Sequence, residues 1–208
     1  MIKPLRSSAE FFCTLAVGLF AIPYLAAGQP PVQPDLRLSA ARVSISGTSN
    51  IHPFTASTTD VRMSRLALAP ADSERLQSAA RPGGVEAFEI TIRAASLTSP
   101  KDGLDKNMHK ALKTGDHPDI TFKLTRLDAG AAPNTVKAVG LLKIAGVEKE
   151  VTLPLKVGVN ASTITVIGEY ALLMTDYGIK PPTAMLGMAK ADNKITITFE
   201  TVLALPLT

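Results

Sequence analysis

Disulfides and indole rings are absent from this chain of 208 residues, which holds one cysteine, Cys13, and no tryptophan. Without cysteine pairs a folded domain must rest on an ordinary apolar core, and the chain is long enough to build one. Beyond the N-terminal segment the aromatic residues reduce to Phe54, Phe88, Phe122, Phe199, Tyr170 and Tyr177. So few rings, with no run of Lys or Arg, exclude base stacking and a phosphate-tracking stripe, and with them a nucleic-acid partner. The formal net charge of +4 is only mildly basic, and losing Lys3, Arg6 and Glu10 with a leader would lower it by one.

Signatures of catalysis and metal binding are missing too. Gly47-Thr48-Ser49-Asn50 lacks the second glycine of a nucleophile elbow, and no Ser-x-x-Lys pair occurs, so Ser49 reads as a turn residue. Asp102, Asp105, Asp116 and Asp119 bracket a predicted helix without the glycine and terminal glutamate of an EF-hand loop, and caps and turns account for them. Gly83-Gly84 is not followed at phosphate-loop spacing by Lys-Ser or Lys-Thr to cradle a phosphate. His52, His109 and His117 form no His-Glu-x-x-His pattern. The expectation is a protein that is not an enzyme and has no metal or cofactor.

What is present begins with an export signal. Lys3 and Arg6 precede an apolar run from Phe11 to Ala27, and Ala26-Ala27-Gly28 offers small residues for cleavage before Gln29. The run is short for a membrane span of about 20 residues. Residues 1–28 therefore read as a cleaved signal peptide, Cys13 as unlipidated, and the location as periplasmic or secreted. Residues 29–36 form a Pro-rich flexible leader, and 37–208 the domain.

Within that domain the pattern is mostly strand. Arg37 to Ser46 and Thr55 to Leu68 give the first two strands, separated by the loop Ser46 to Thr55, and Phe88, Ile90 and Ile92 mark the third. Leu104, Met108 and Leu112 then recur at helical spacing behind Asp105, the expected N-cap, in a helix from Asp105 to Lys113 that Gly115 ends. His117-Pro118 forces an extended entry into the fourth strand of Ile120, Phe122 and Leu124. Val136 to Ala145, Val151 to Val159, Thr163 to Met174 and Ile195 to Leu203 complete eight. Short links favour an all-β antiparallel barrel or sandwich, and closure, which removes exposed edges, favours an eight-stranded barrel with the helix between strands three and four capping a mouth. The inward aliphatic faces fit a packed interior or a hollow one, and periodicity by itself places packing first.

Three segments in order resemble the YceI-like family of secreted, lipocalin-like β-barrels that bind polyisoprenoid lipids. They are Asn107-Met108-His109-Lys110-Ala111-Leu112-Lys113 with His117-Pro118-Asp119-Ile120-Thr121-Phe122, then Gly140 to Lys149, and Thr175-Asp176-Tyr177-Gly178-Ile179. Ala145 stands where the family often has His or Arg, and Tyr177 where Phe is usual. The resemblance implies a hollow interior and a periplasmic carrier for a long apolar lipid, a polyisoprenoid or an isoprenoid quinone. Under it, Leu104, Met108, Leu112, Phe122, Leu142, Ile144, Leu155, Met174, Met185 and Phe199 are the candidates for the tail, and His52, Tyr177 and Lys180 for a head group. It leaves room for a homodimer and for transient contact with a membrane or membrane protein. The alternative is a solid barrel that binds a membrane-protein partner through the Ser46 to Phe54 and Lys180-Pro181-Pro182 loops.

Overall fold

A computed structural model describes residues 36–69, 75–184, 186 and 188–206. The signal peptide assigned to residues 1–28, residues 29–35 of the leader, and Met185 lie outside the described residues. Leu36, assigned to the leader, is 2% exposed and packs with Val136, Ile164 and Leu203.

The described residues form ten strands: β1 (Arg37–Ser49), β2 (Phe54–Thr58), β3 (Val61–Leu68), β4 (Val85–Arg93), β5 (Asp119–Ala129), β6 (Thr135–Ile144), β7 (Val147–Val159), β8 (Thr163–Leu173), β9 (Thr183–Ala184) and β10 (Ala189–Ala204). They hydrogen-bond in the order β2-β1-β10-β8-β7-β6-β5-β4-β3, with β9 on β10, and every pairing is antiparallel. The end strands β2 and β3 are consecutive in the chain, joined through Thr59 and Asp60. One bent strand therefore pairs with β1 through its first half and with β4 through its second, curling the sheet back on itself. Counted that way, the expected eight strands are all there, and the two-residue β9 is the addition. Ser57 and Thr98 exchange backbone hydrogen bonds of 2.9 and 3.1 Å, so β2 is also tied to the segment that follows β4.

Two ladders are short: β4 pairs with β5 only from Glu89 to Arg93, and a seam opens between β7 and β8. β7 pairs with β8 only from Leu155 to Val159, although it pairs with β6 from Val147 to Lys156, along the whole of β6. Pro154, which has no N–H to donate, stands where the β7–β8 ladder begins. Beyond it the strands part, and the single turn Met174–Tyr177 packs into the space between them, Tyr177 being 2% exposed. Gly178 follows in the left-handed region at φ 64° and turns the chain toward Ile179.

Two α-helices complete the fold of the described residues. The short α1 (Arg75–Ala79) lies beside the C-terminal end of β3, and α2 (Asp102–Ala111) connects β4 to β5. The expected N-cap role of Asp105 does not hold. Lys101 occupies that position without a side-chain bond, while Asp105, one turn in, accepts the backbone N–H of Ser99 at 2.8 Å. Nor does Gly115 end the helix. Lys113 takes the left-handed conformation at φ 54°, and the bonds Lys113 N to Lys110 O and Thr114 N to His109 O, both 3.1 Å, make a Schellman motif around it.

Candidate functional site

Strand alternation sends one face of each strand inward, and those faces meet in a single cavity of about 630 Å³ that extends through the curled sheet. Nine of the ten tail candidates line it: Leu104, Met108 and Leu112 from α2 and the turn after it, and Phe122, Leu142, Ile144, Leu155, Met174 and Phe199 from the strands and the turn after β8. Only Met185 lies outside the described residues. The helix therefore stands over one mouth with its apolar face inward.

Aromatic rings are laid along the wall at glycines. A Cβ on Gly168 would overlap Phe199, its partner across the β8–β10 ladder, and one on Gly140 would lie 2.7 Å from the Phe122 ring. Each glycine lets a ring lie flat on the neighbouring strand, keeping it along the wall.

The cavity has two unlike ends. At one end lie Leu36, Leu68, Val136, Val157, Ile164 and Leu203, with Ala79 and Ala80 of and beside α1 covering them. At the other end lie the β1–β2 loop, the start of α2 and the β9–β10 turn, and here the lining turns polar through Ser49, His52, Lys101, Asn107, Thr183 and Lys190. Among the described residues the charged side chains on the lining are Lys101 and Lys190, and no carboxylate joins them.

Asn50 fixes this mouth. Its Nδ2 donates to Met188 O at 2.8 Å and its Oδ1 accepts the Lys190 N–H at 2.7 Å, while its own N–H reaches Lys190 O at 3.1 Å. Across the opening, His109 Nε2 meets Leu97 O at 2.8 Å, tying α2 to the buried segment that precedes it.

The head-group candidates divide. His52 is exposed on the mouth and lines the cavity, with its Nδ1 3.1 Å from Pro53 O. Tyr177 does not line it. Its ring is enclosed in the core that fills the β7–β8 seam, and burial, with smaller effects from Tyr170 and Asp176, pushes its hydroxyl up to about 12. Lys180 is exposed and lies off the lining as well. Neither is placed to touch a cavity ligand, because the Asp176-Tyr177-Gly178 turn is used to close the sheet. The three histidines stay apart: His117 lies against Gly146 in the β6–β7 turn, far from the bonds that hold His52 and His109.

Sequence reasoning missed much of the wall. Val43 and Ile45 of β1, Phe88 and Ile90 of β4, and Tyr170 and Leu172 of β8 also face the cavity. Their two-residue spacing was the available signal. Lys101 and Lys190 carried none, being isolated lysines in loop-like surroundings.

Comparison with known proteins bears on this architecture. A model of the YceI-like domain matches residues 36–203. Comparison with curated protein sequences finds no match. The structure of Burkholderia cenocepacia BcnA is similar at TM-score 0.64 and 18% identity, covering 81% of this chain and 99% of that one. A polyisoprenoid binding domain from Saccharophagus degradans, implicated in plant cell wall breakdown, is similar at TM-score 0.60 and 14% identity over 84% of this chain and 100% of that one. The Campylobacter jejuni YCEI protein is similar at TM-score 0.52 and 17% identity over 98% and 100%.

Proposed function

The chain belongs to the YceI-like family, and from that premise we propose that it is a binding or carrier protein for a long-chain apolar lipid, a polyisoprenoid or an isoprenoid quinone, held inside the barrel. The observation that carries the reading is the cavity of about 630 Å³, walled by aliphatic and aromatic side chains from end to end, with its polar side chains, Thr201 apart, gathered toward one mouth. Such a shape suits an amphiphile with its tail inside and its head at His52, Lys101 and Lys190. Each Å² of apolar surface withdrawn from water contributes roughly 25 cal/mol, so a tail running the length of the wall is held without any directed bond. Met108 and Met174 supply unbranched side chains that adapt to an irregular tail. The polyisoprenoid binding named for the Saccharophagus domain supports the same class of cargo.

The protein works by sequestration, with no bond made or broken and no cofactor. The apolar run before Gln29 supports export, which would place the barrel in the aqueous periplasm or outside the cell, where a free polyprenyl chain is insoluble. The test is mass spectrometry of an organic extract from protein exported by its own host and purified without detergent. A stoichiometric isoprenoid or quinone is the expected result and identifies the cargo. An empty extract from folded, monodisperse protein, together with failure to take up added polyprenyl lipid, would overturn the carrier reading.

A further inference from the structure

The mouth carries a second feature that the cavity does not need. Among the described residues the large hydrophobic side chains left exposed are Ile51, Ile167, Leu173, Leu186 and Met188. All but Ile167 lie at the end of the barrel where the cavity opens: Ile51 in the β1–β2 loop, Leu173 at the end of β8, Leu186 and Met188 between β9 and β10. Leu186 is exposed to 106% and Met188 to 65%, and Ile51 at 51% is brought beside Met188 by the Asn50 hydrogen bonds. A folded chain scatters single exposed apolar residues, but three protruding tips on adjoining loops around one opening are a patch.

Exposed lysines stand on elements at the same end of the barrel. Leu104, Met108 and Leu112 point α2 inward, so Lys106 and Lys110, two residues either side of Met108, fall on the opposite face and are exposed. Lys180 is exposed on the loop that leads to β9. Carboxylates share this end: Asp105 accepts from Ser99, Asp192 accepts from Thr48, Asp176 pairs with Lys149 at 3.7 Å, and Asp102, Asp116 and Asp119 are exposed before and after the helix.

We propose that this end of the barrel docks on a lipid surface bearing anionic headgroups, with Leu186 and Met188 entering the headgroup layer and Lys106, Lys110 and Lys180 resting on it. Apolar tips with exposed lysines at the same end suit a fluid anionic layer, since aliphatic chains take up separate tips and mobile headgroups gather under separate lysines. A protein partner would have to match tips on two loops and charges on a helix in one rigid surface. No helix among the described residues is long and apolar enough to cross a membrane. The orientation sets the cavity mouth against the bilayer, and in that respect rests on the carrier reading, since a lipid cargo could then pass between membrane and barrel without crossing water.

The test is flotation of the purified protein with vesicles of phosphatidylglycerol and phosphatidylethanolamine, compared with pure phosphatidylcholine vesicles, at two salt concentrations. Uptake of a fluorescent polyprenyl lipid is measured separately without vesicles. The protein should float with the anionic vesicles and be released by salt. Lys106→Gln/Lys110→Gln/Lys180→Gln should lower partitioning by about a hundredfold, and Leu186→Ser/Met188→Ser by roughly tenfold or more. None of these five residues lines the cavity, so probe uptake should stay at the wild-type level, which also reports that the variants are folded. Wild-type protein that ignores anionic vesicles, or variants that float as it does, would overturn the proposal. Flotation kept in protein that takes up no probe would instead sink the carrier reading and leave the docking surface standing.

Discussion

The ring of Phe199 lies across Gly168, its antiparallel partner in β8, so closely that a single added methyl would overlap it. That methyl would also come within 2.9 Å of Leu155 Cδ2, another wall residue. Gly168→Ala must therefore push the ring off the wall and into the cavity, or part β8 from β10. Overpacking of this kind costs about 1–3 kcal/mol. Gly158→Ala, one strand away, meets nothing within 4 Å and should be neutral or slightly stabilising. Denaturant midpoints of the two variants make the comparison, and equal midpoints would show that the ring does not rest where it is drawn.

Whether the interior is hollow can be asked by filling it. Ala138, on β6 opposite Leu153 and Leu127, is 3% exposed and lines the cavity. In a packed core Ala138→Phe would be rejected as an overpacked site. In a cavity of about 630 Å³ the ring has somewhere to go, so the variant should fold with a midpoint near wild type and lose lipid uptake by tenfold or more. An unfolded Ala138→Phe, beside a wild type that carries no lipid, would return the interior to an ordinary core.

The sequence showed the staves of this barrel more clearly than its closures. Phe122, Leu142, Ile144, Leu155 and Phe199 are legible because a strand with one face buried must alternate, and a slip of one residue would turn them all outward. Leu104, Met108 and Leu112 are legible for the same reason at helical spacing. Tyr177 was not. Its place depends on β7 and β8 separating beyond Pro154, a tertiary event that leaves no period in the chain, so a ring with a hydroxyl looked like a head-group contact when it is a wedge. Lys101 and Lys190 were hidden likewise, since only the meeting of distant loops makes them a mouth.

Helix termination offers a check on local rules. Gly115 follows α2 closely enough to pass for its stop, yet Lys113 holds the left-handed position at φ 54° and Gly115 does not. Lys113 is exposed, so its replacement removes no packing. Lys113→Gly should stabilise the protein by about 0.5–1 kcal/mol by relieving the Cβ clash that conformation imposes. Gly115→Ala, where nothing lies within 4 Å, should add about 0.4–1 kcal/mol by restricting the unfolded chain. Were Gly115 the true stop, its alanine variant would lose stability instead, and thermal melts of the two single variants decide it.

Tyr177 should also set the alkaline limit of the fold. An ordinary phenol ionises near pH 10, whereas burial first, then Tyr170 and Asp176, raise this one to about 12. Below pH 10 the hydroxyl is protonated in folded and unfolded chains alike, so it adds no pH dependence there. Between pH 10 and 12 the unfolded chain releases the proton and the folded one holds it, so stability falls by about 1.4 kcal/mol per pH unit, roughly 3 kcal/mol in all. Tyr177→Phe keeps the ring that fills the gap between β7 and β8 and removes the proton. The variant should match wild type in guanidinium unfolding at pH 8 and exceed it by about 1–3 kcal/mol near pH 11.5. If the two proteins lost stability in parallel above pH 10, the Tyr177 hydroxyl would have to be reaching water, and the turn after β8 would not be the plug that closes the sheet.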